Sequence, residues 1–396
     1  MSGGQKPETR ILHVATFSGN IGDNASHTGL YRSLAQSTGW NIKVTEREIR
    51  KAYMNYDGDD GWQWDASFVD QVNNHDLTII GGGNYFELWI ESSATGTTVD
   101  MEVELLKQLK RPMVFHGIGC DPCKGYTKET LAKFRTFLDA VCSHPMCLVA
   151  VRNDGSKNHI LDLLGQSLAD AVLKTPDPGF FIEPPTIPVP MNVTGRYWAI
   201  NIAADIKEIR FPGGSGMLDY SEFINNMRHL AVMSLTTYPD LEWVLVPHIF
   251  SDLDAIRDFM HALPEYLRRH RVTVAPLLHG SNAEKYSISV YANAELVLGT
   301  RFHTNVCSIG LGVPTIGLIT YAKLESLYDD LEMPERAVWA NRPGFVEKVN
   351  ILLKTTMNDL SLIRRKYECI LKSLLQDARQ VHCVVKSLVL SNNQRH

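Results

Sequence analysis

Short apolar runs alternate with helix-like stretches along most of this chain, and that alternation limits the fold more than any other feature. Residues 11–17 (ILHVATF) end at Ser18-Gly19-Asn20, and residues 76–80 (DLTII) end at Gly81-Gly82-Gly83. Further strand-like runs lie at 112–115, 148–151, 197–202, 241–247, 272–275, 296–298 and 315–319. Helical patterns lie between them at 25–36, 128–141, 220–238, 253–270 and 283–292. The alternation predicts an α/β protein with parallel sheets covered by helices on both faces.

The length and one proline-rich break divide this pattern in two. A chain of 396 residues exceeds one average domain, and residues 183–195 (EPPTIPVPMNVTG) have no periodicity. We predict a Rossmann-like domain at 1–183, a linker at 184–195, a second Rossmann-like domain at 196–345 and C-terminal helices at 346–396. Two doubly wound domains facing a cleft would bind ligands beyond the carboxyl ends of their strands.

Composition excludes several classes of protein. A net charge of −5 argues against a general nucleic-acid or membrane surface. Residues 1–10 lack the apolar segment of a signal peptide, and no apolar run reaches the ~18 residues of a membrane span. Seven irregularly spaced cysteines favour a reduced, cytoplasmic setting. Arg364-Arg365-Lys366 is a candidate contact with a membrane face, although a solvated helix face is the favoured interpretation.

Two glycine-rich loops follow predicted strands. Gly19-Asn20-Ile21-Gly22-Asp23 precedes a helix, and Gly81-Gly82-Gly83-Asn84 follows a buried strand. Glycine allows tight turns and close backbone approach to a ligand, and helix N-termini favour anions. A plain turn explains either loop equally well. Neither matches the GxGxxG fingerprint, so a nicotinamide cofactor is not supported.

The most informative segment is Gly299-Thr300-Arg301-Phe302-His303-Thr304-Asn305, after a predicted strand. If the chain stays extended there, Arg301 and His303 point the same way, because residues i and i+2 share a face. An arginine beside a histidine forms an anion site with a proton donor, and Thr304 or Asn305 can cap the following helix. The alternative is an arginine paired with a carboxylate and a buried, hydrogen-bonded histidine.

Two further cations follow other predicted strands. Arg152 follows the run 148–151, and Lys323 follows the run 315–319. Lysine there suits a phosphate as a mobile point charge, but a surface lysine is the common alternative. For Asp154 and Ser156 we favour helix capping.

Other motifs are weaker. Cys120 and Cys123 have CxxC spacing, but a structural zinc normally requires a second well-spaced pair of ligands, so we predict no metal site. Asp252-Leu253-Asp254 matches the DxD pattern of metal-dependent sugar transfer, yet an N-cap is the favoured role.

Taken in order, these motifs resemble those of the polysaccharide pyruvyltransferase family over residues 11–323. The matching pieces are GNIGD at 19–23, GGGN at 81–84, GIGCDP at 117–122, Arg152-x3-Ser156, Asp177-Pro178, Pro247-His248 and GTRFHTNVCSIGLGVPTIGLITYAK at 299–323. The last block is the specific part. The chain departs from the family at Asn153, where an aspartate is usual, and in the Cys-Asp of GIGCDP.

The resemblance implies a glycosyltransferase-B-like fold and phosphoenolpyruvate as donor, with no other cofactor. It assigns the donor to the second domain and the basic and acid-base roles to Arg152, Arg301, His303 and Lys323. The acceptor is expected to be a hexose-type sugar, free in a saccharide or in a lipid- or nucleotide-linked precursor, and to react through the first domain. Its predicted contacts, together with those of the donor, are Gly19, Asn20, Asp23, Gly82, Gly83, Asn84, Thr304 and Asn305.

Two other functions stay open. A nucleotide-sugar glycosyltransferase shares the expected fold, and fold does not determine function. Against it, no acidic pair is clearly placed for a ribose, and the Arg-x-His pair with Lys323 suits a small dianion. A non-catalytic sugar-binding protein is the second alternative, but such a relative is expected to lose Arg301 or His303.

Overall fold

The computed structural model describes residues 8–52, 56, 58–191, 193, 195–280 and 282–393. The strands are β1 (Glu8–Ala15), β2 (Asn41–Glu48), β3 (Leu77–Gly81), β4 (Phe86–Glu87), β5 (Met113–Ile118), β6 (Cys120–Asp121), β7 (Cys147–Arg152), β8 (Leu173–Thr175), β9 (Arg196–Asn201), β10 (Pro212–Gly214), β11 (Met217–Asp219), β12 (Leu241–Leu245), β13 (Val272–Val274), β14 (Leu296–Gly299), β15 (Thr315–Ile319) and β16 (Ala337–Trp339). The helices are α1 (Ile21–Thr38), α2 (Ala66–Asn73), α3 (Lys128–Ser143), α4 (Ser156–Leu164), α5 (Gln166–Ala171), α6 (Lys207–Arg210), α7 (Tyr220–Thr237), α8 (Asp252–Ala262), α9 (Glu265–His270), α10 (Ala283–Ala292), α11 (Phe302–Gly310), α12 (Ala322–Asp330), α13 (Phe345–Asn358) and α14 (Leu360–Asn393).

The first of two compact units contains residues 1–17, 27–178 and 373–396. Its six-stranded sheet has the order β2-β1-β3-β5-β7-β8, and every pairing in it is parallel. Strands β3 and β5 are buried along their whole length, as expected for central strands covered on both faces. The strand order reverses between β1 and β3.

The second unit contains residues 18–26 and 179–372. Its six-stranded parallel sheet has the order β13-β12-β9-β14-β15-β16. Trp198 of β9 and Trp243 of β12 are fully buried in its core. The order reverses between β9 and β14, and in doubly wound sheets ligands bind beyond the carboxyl ends of the strands at such a reversal.

These two Rossmann-like sheets confirm the predicted fold class. The edge strand β2 was missed because NIKVTERE is half-exposed and carries no apolar run. The predicted helix at 253–270 is wrong as one element, since Leu263 and Pro264 separate α8 from α9. No helix in the described ranges is both long and apolar enough to span a bilayer.

The division into units does not follow the chain in simple order. Residues 18–26, with the first turn of α1, belong to the second unit, and residues 373–393 of α14 belong to the first. The predicted linker at 184–195, in which residues 192 and 194 lie outside the described part, stays a prediction.

Candidate functional site

Asn201 organises the switch point of the second sheet. It is fully buried at the end of β9, and its side-chain oxygen accepts hydrogen bonds from the Thr300 hydroxyl at 3.2 Å and from the Arg301 backbone N–H at 3.1 Å. The Asn201 amide donates to the Val246 carbonyl at 2.9 Å. One side chain therefore ties together the carboxyl ends of β9, β12 and β14.

Arg301 lies at this point between two carboxylates. Its Nε donates to Asp252 Oδ2 at 2.7 Å, and its Nη2 donates to Asp205 Oδ1 at 2.9 Å and also contacts Asp252 Oδ1. Although burial opposes the charge, Asp252 and Asp205 hold the pKa of Arg301 above its ordinary value. Nη1 has no hydrogen bond to any residue in the described part of the chain, and the side chain is 13% exposed. The guanidinium is thus anchored along one edge and available along the other.

Two more cations lie in the same unit. Arg210 is buried, pairs with Asp205 at 3.3 Å and donates to the Thr320 hydroxyl at 2.6 Å. Burial alone would raise the pKa of Asp205, but Arg301 and Arg210 hold it below its ordinary value. Lys323, in the first turn of α12, is also buried, and its Nζ lies 5.4 Å from the centre of the Phe302 ring. Arg210 and Arg301 therefore share the carboxylate of Asp205, and Lys323 lies beside the first residue of the helix that Arg301 caps.

His303 lies against the first turn of α1. Its Nδ1 is 3.5 Å from Asp23 Oδ1, a distance at which the carboxylate can orient the imidazole. A Cβ built on Gly22 would lie 2.5 Å from the His303 Cβ and 2.7 Å from its Nδ1. Asn20 holds this turn in place, since it accepts from the Gly22 N–H at 3.1 Å and donates to Asp23 Oδ2 at 2.8 Å. Gly19 precedes it in the left-handed region, with φ of 75°.

His248 links the loop after β12 to the same cluster. Its carbonyl accepts from the Ile21 N–H at 3.2 Å, and its Nε2 lies 2.7 Å from the Tyr291 hydroxyl and 3.2 Å from the Thr304 hydroxyl. Burial, with Arg301 and His303 nearby, lowers the pKa of His248 well below its usual value. His248 is therefore a neutral structural group near neutral pH.

The local geometry corrects three sequence predictions. Arg301 is the N-cap of α11 and His303 is already helical, so the two are not alternate residues of an extended strand. Thr304 and Asn305 do not cap α11 but lie inside it, where Asn305 donates to the Gly299 carbonyl at 3.0 Å and accepts from the Tyr328 hydroxyl at 2.8 Å. Asp252 is not an N-cap either, because it is the first residue of α8 and binds Arg301 and the His248 N–H.

Arg152 lies in the first unit, whereas Arg301 lies in the second. It is buried at the end of β7, and it donates to Asp154 at 2.6 Å and to Asp177 at 3.4 Å. Asp154 also accepts from the Ser156 N–H at 3.3 Å, although Gly155 is the N-cap of α4. Arg152, Asp154 and Asp177 thus form a buried ion-pair network beside the start of α4.

The glycines after β3 have close neighbours within the first unit. A Cβ on Gly81 would collide with the His116 carbonyl, and one on Gly82 would lie 2.7 Å from the His27 ring. Gly83 packs against the Tyr85 ring in the same way. Asn84 donates to Glu87 at 3.0 Å. Tight packing within the protein therefore accounts for these glycines.

Sequence reasoning missed Asp205 and Arg210 and misassigned Asp252. Asp205 and Arg210 follow β9 in a segment without a motif, and their partners come from other strands. Asp177 and His248 carried a signal only as part of the family pattern. Among the described residues, no group of three or more His, Cys, Asp or Glu side chains could hold a metal ion.

The model of the polysaccharide pyruvyl transferase family matches residues 20–321. A search of curated proteins finds no match. A glycosyltransferase from Rickettsia africae ESF-5 is similar in structure, with 10% identity, coverage of 97% of this chain and 99% of that one, and a TM-score of 0.55. A putative UDP-N-acetylglucosamine 2-epimerase from Listeria monocytogenes has 11% identity, 94% and 91% coverage and a TM-score of 0.52. At such identity the likeness shows a shared glycosyltransferase-B fold alone.

Proposed function

Because this chain belongs to the polysaccharide pyruvyl transferase family, we propose that it takes phosphoenolpyruvate as donor and forms a pyruvate ketal on two hydroxyls of a saccharide. The family model covers residues 20–321, which include every residue of the cluster around Arg301 except Lys323. The donor and the ketal product are the parts of this proposal that experiment has to test.

One observation carries the assignment of the donor site, namely the anchored guanidinium of Arg301. Asp252 and Asp205 occupy Nε and Nη2, while Nη1 has no hydrogen bond to a protein group in the described ranges. A guanidinium held in one orientation loses little entropy when an anion binds, and charge-assisted hydrogen bonds are the strong ones. The site therefore suits a small anion that accepts from one edge of the arginine.

The surrounding field favours the same class of ligand. The N-termini of α11 and α12 both follow strands at the carboxyl edge of the sheet, where helix dipoles favour negative charge. Lys323 lies in the first turn of α12. Phosphoenolpyruvate carries a phosphate and a carboxylate on the same carbon. These two anionic groups can each pair with a cation, whereas a neutral ligand cannot.

The proposed reaction forms or breaks four single bonds at the carbons of the donor. A proton adds to the methylene carbon of the donor and leaves a cationic centre at C2. One acceptor hydroxyl forms a C–O bond there and loses its proton, and the C–O bond to phosphate breaks. A second hydroxyl then bonds to C2 and closes the ketal, and one proton leaves with the phosphate. His303, oriented by Asp23, is the group we assign to proton transfer.

The acceptor must supply both hydroxyls, because attack by water would release pyruvate instead. The hydroxyl contacts expected at Asn20 and Asp23 and, in the first unit, at Gly82, Gly83 and Asn84 stay predictions. Thr304 contacts His248, and Asn305 donates to the Gly299 and Arg301 carbonyls, so we assign Asn305 to positioning the backbone of Arg301; a direct ligand contact for either residue stays a prediction. The role predicted for Arg152 stays a prediction.

Calorimetric titration with phosphoenolpyruvate tests the donor assignment. Loss of a charge-assisted partner costs about 1.5–3 kcal/mol, so Arg301→Ala should weaken binding by about 10- to 150-fold. Arg257→Ala is the control, because Arg257 is an exposed arginine of the same unit that pairs within α8. Equal affinity of Arg301→Ala and wild type would reject the site.

A second measurement separates the proposal from nucleotide-sugar transfer. Thermal-shift titrations should show stabilisation by phosphoenolpyruvate and none by UDP-N-acetylglucosamine. Product analysis by mass spectrometry and NMR should then show a ketal carbon bonded to two sugar oxygens. An open enolpyruvyl ether with one hydroxyl still free would contradict ketal formation.

A further inference from the structure

A cavity of about 410 Å³ lies in the first unit, and one of its lining residues, Glu87, accepts a hydrogen bond from Asn84. Its volume lies in the range of roughly 300–1,000 Å³ that small-molecule sites occupy. Residues 87–100 supply most of its polar and aromatic lining, and a lysine from a later loop adds to it. The lining includes Glu87, Trp89, Ser92, Thr97, Asp100 and Lys124.

Trp89 is held at this cavity with much of its ring uncovered. The indole is 45% exposed, and its Nε1 donates to Glu87 Oε2 at 3.0 Å. Lys124 donates to the same Glu87 oxygen at 2.8 Å, and its Nζ lies 5.2 Å from the centre of the Trp89 ring. Two contacts therefore orient an aromatic ring that is not part of the core.

Residues 94–100, which follow Trp89 in the chain, have little regular structure but are held by hydrogen bonds among themselves. The Thr95 hydroxyl lies 2.8 Å from the Thr97 hydroxyl and donates to the Val99 carbonyl at 2.7 Å. Asp100 accepts from the Ala94 N–H at 2.7 Å, which closes the loop. Such a loop presents its side chains to a ligand with little loss of entropy on binding.

We propose that this cavity binds a neutral sugar residue of the acceptor, as a saccharide subsite of the transferase proposed above. A pyranose has an apolar C–H face that packs on an aromatic ring and a rim of hydroxyls that bond to carboxylates and hydroxyls. The lining has two carboxylates, Glu87 and Asp100, against one ammonium, Lys124, which already pairs with Glu87. That charge balance disfavours a phosphate or a carboxylate ligand and favours an uncharged polyol.

The surroundings suit a chain of sugars. A second cavity, of about 570 Å³, shares Ala52 and Asp100 with the first and is lined by Trp62 and Trp64. Glu87, in turn, accepts from Asn84, which sequence analysis assigned to the acceptor. An oligosaccharide can therefore extend from one cavity into the next along the same face of the first unit.

Saturation-transfer NMR tests this site with methyl β-galactoside, methyl α-mannoside and methyl β-glucoside as probes. At least one probe should receive saturation on the C–H protons of one ring face, which reports stacking. In Trp89→Ala the effect should fall about tenfold, and Asp100→Asn should reduce it as well. The control is Tyr266→Ala, which removes an aromatic side chain, 58% exposed, from the second unit and should change nothing.

Absence of transfer from all three probes, or equal transfer in Trp89→Ala and wild type, would overturn the subsite. Calorimetry with phosphoenolpyruvate on the same samples tells the two proposals apart. Trp89→Ala should keep donor affinity, since Trp89 lies in the other unit from Arg301. Sugar binding that depends on Trp89 without any donor binding would support the subsite and reject the proposed transfer reaction.

Discussion

Replacing Gly22 with alanine places a methyl group where the side chain of His303 already lies. The new Cβ would be 2.5 Å from the His303 Cβ and 2.8 Å from its Cγ. Carbon atoms in contact are separated by about 3.5–4.0 Å, so His303 has to move by about 1 Å. The backbone itself accepts the change, because Gly22 lies in α1 and alanine is favoured over glycine in a helix by about 1 kcal/mol.

The two effects predict opposite outcomes for stability and for function. Helix propensity offsets part of the steric cost, so we expect little change in Tm. A displacement of about 1 Å at a catalytic group can lower the rate by about 10²-fold. Gly22→Ala should therefore reduce kcat by about two orders of magnitude in a folded protein.

Phosphate release from phosphoenolpyruvate, measured with a panel of saccharides, reports the rate. The imidazole ¹H–¹³C resonance of His303, assigned by its loss in His303→Gln, reports the displacement without any need for turnover. Gly195→Ala is the control, because its Cβ would meet only the Asp240 carbonyl at 3.6 Å, an ordinary contact. An unshifted His303 resonance together with an unchanged kcat in Gly22→Ala would refute the steric argument.

Three further predictions concern the reaction and the stability of the fold. His303→Gln should lower kcat by about 10²–10⁴-fold and leave the affinity for phosphoenolpyruvate nearly unchanged, and near-normal turnover would reject the proton-transfer role. Prolonged treatment with EDTA should leave activity intact, and a loss that a divalent ion restores would contradict the metal-independent scheme. Burial lowers the pKa of His116 from 6.5 to about 4, so between these values the unfolded chain binds a proton that the folded chain excludes. The free energy of unfolding should therefore decrease as the pH is lowered from 6.5 to about 4, by up to about 1.4 kcal/mol per pH unit, and urea titrations at several pH values should show a shallower decrease for His116→Met.

Local pattern was sufficient for most of the architecture. Apolar runs of three to seven residues, alternating with helical patterns, marked the buried parallel strands, because a strand covered on both faces has few polar positions. The half-exposed β2 lacks that signature and was missed. The Leu263-Pro264 break within a helical pattern was also missed, although proline disfavours continuation of a helix.

The candidate site could be predicted only in part. The order of motifs pointed to Arg301, His303 and Lys323, and the structure places all three in the second unit. The inference that Arg301 and His303 alternate along a strand was wrong, because α11 begins at Phe302. A helix start three or four residues earlier than expected changes which residues share a face, and sequence seldom determines such boundaries that closely.

By itself the sequence determined the alternation of strands and helices, the loops at the strand ends and the residue types that could meet an anion. Only the tertiary structure decided which of those residues meet. Asp205 follows β9, Asp252 follows the loop after β12, and both bind Arg301, which follows β14. The physical reason is that neighbours at the carboxyl edge of a sheet are set by strand order, a long-range property to which each segment contributes only its own strand.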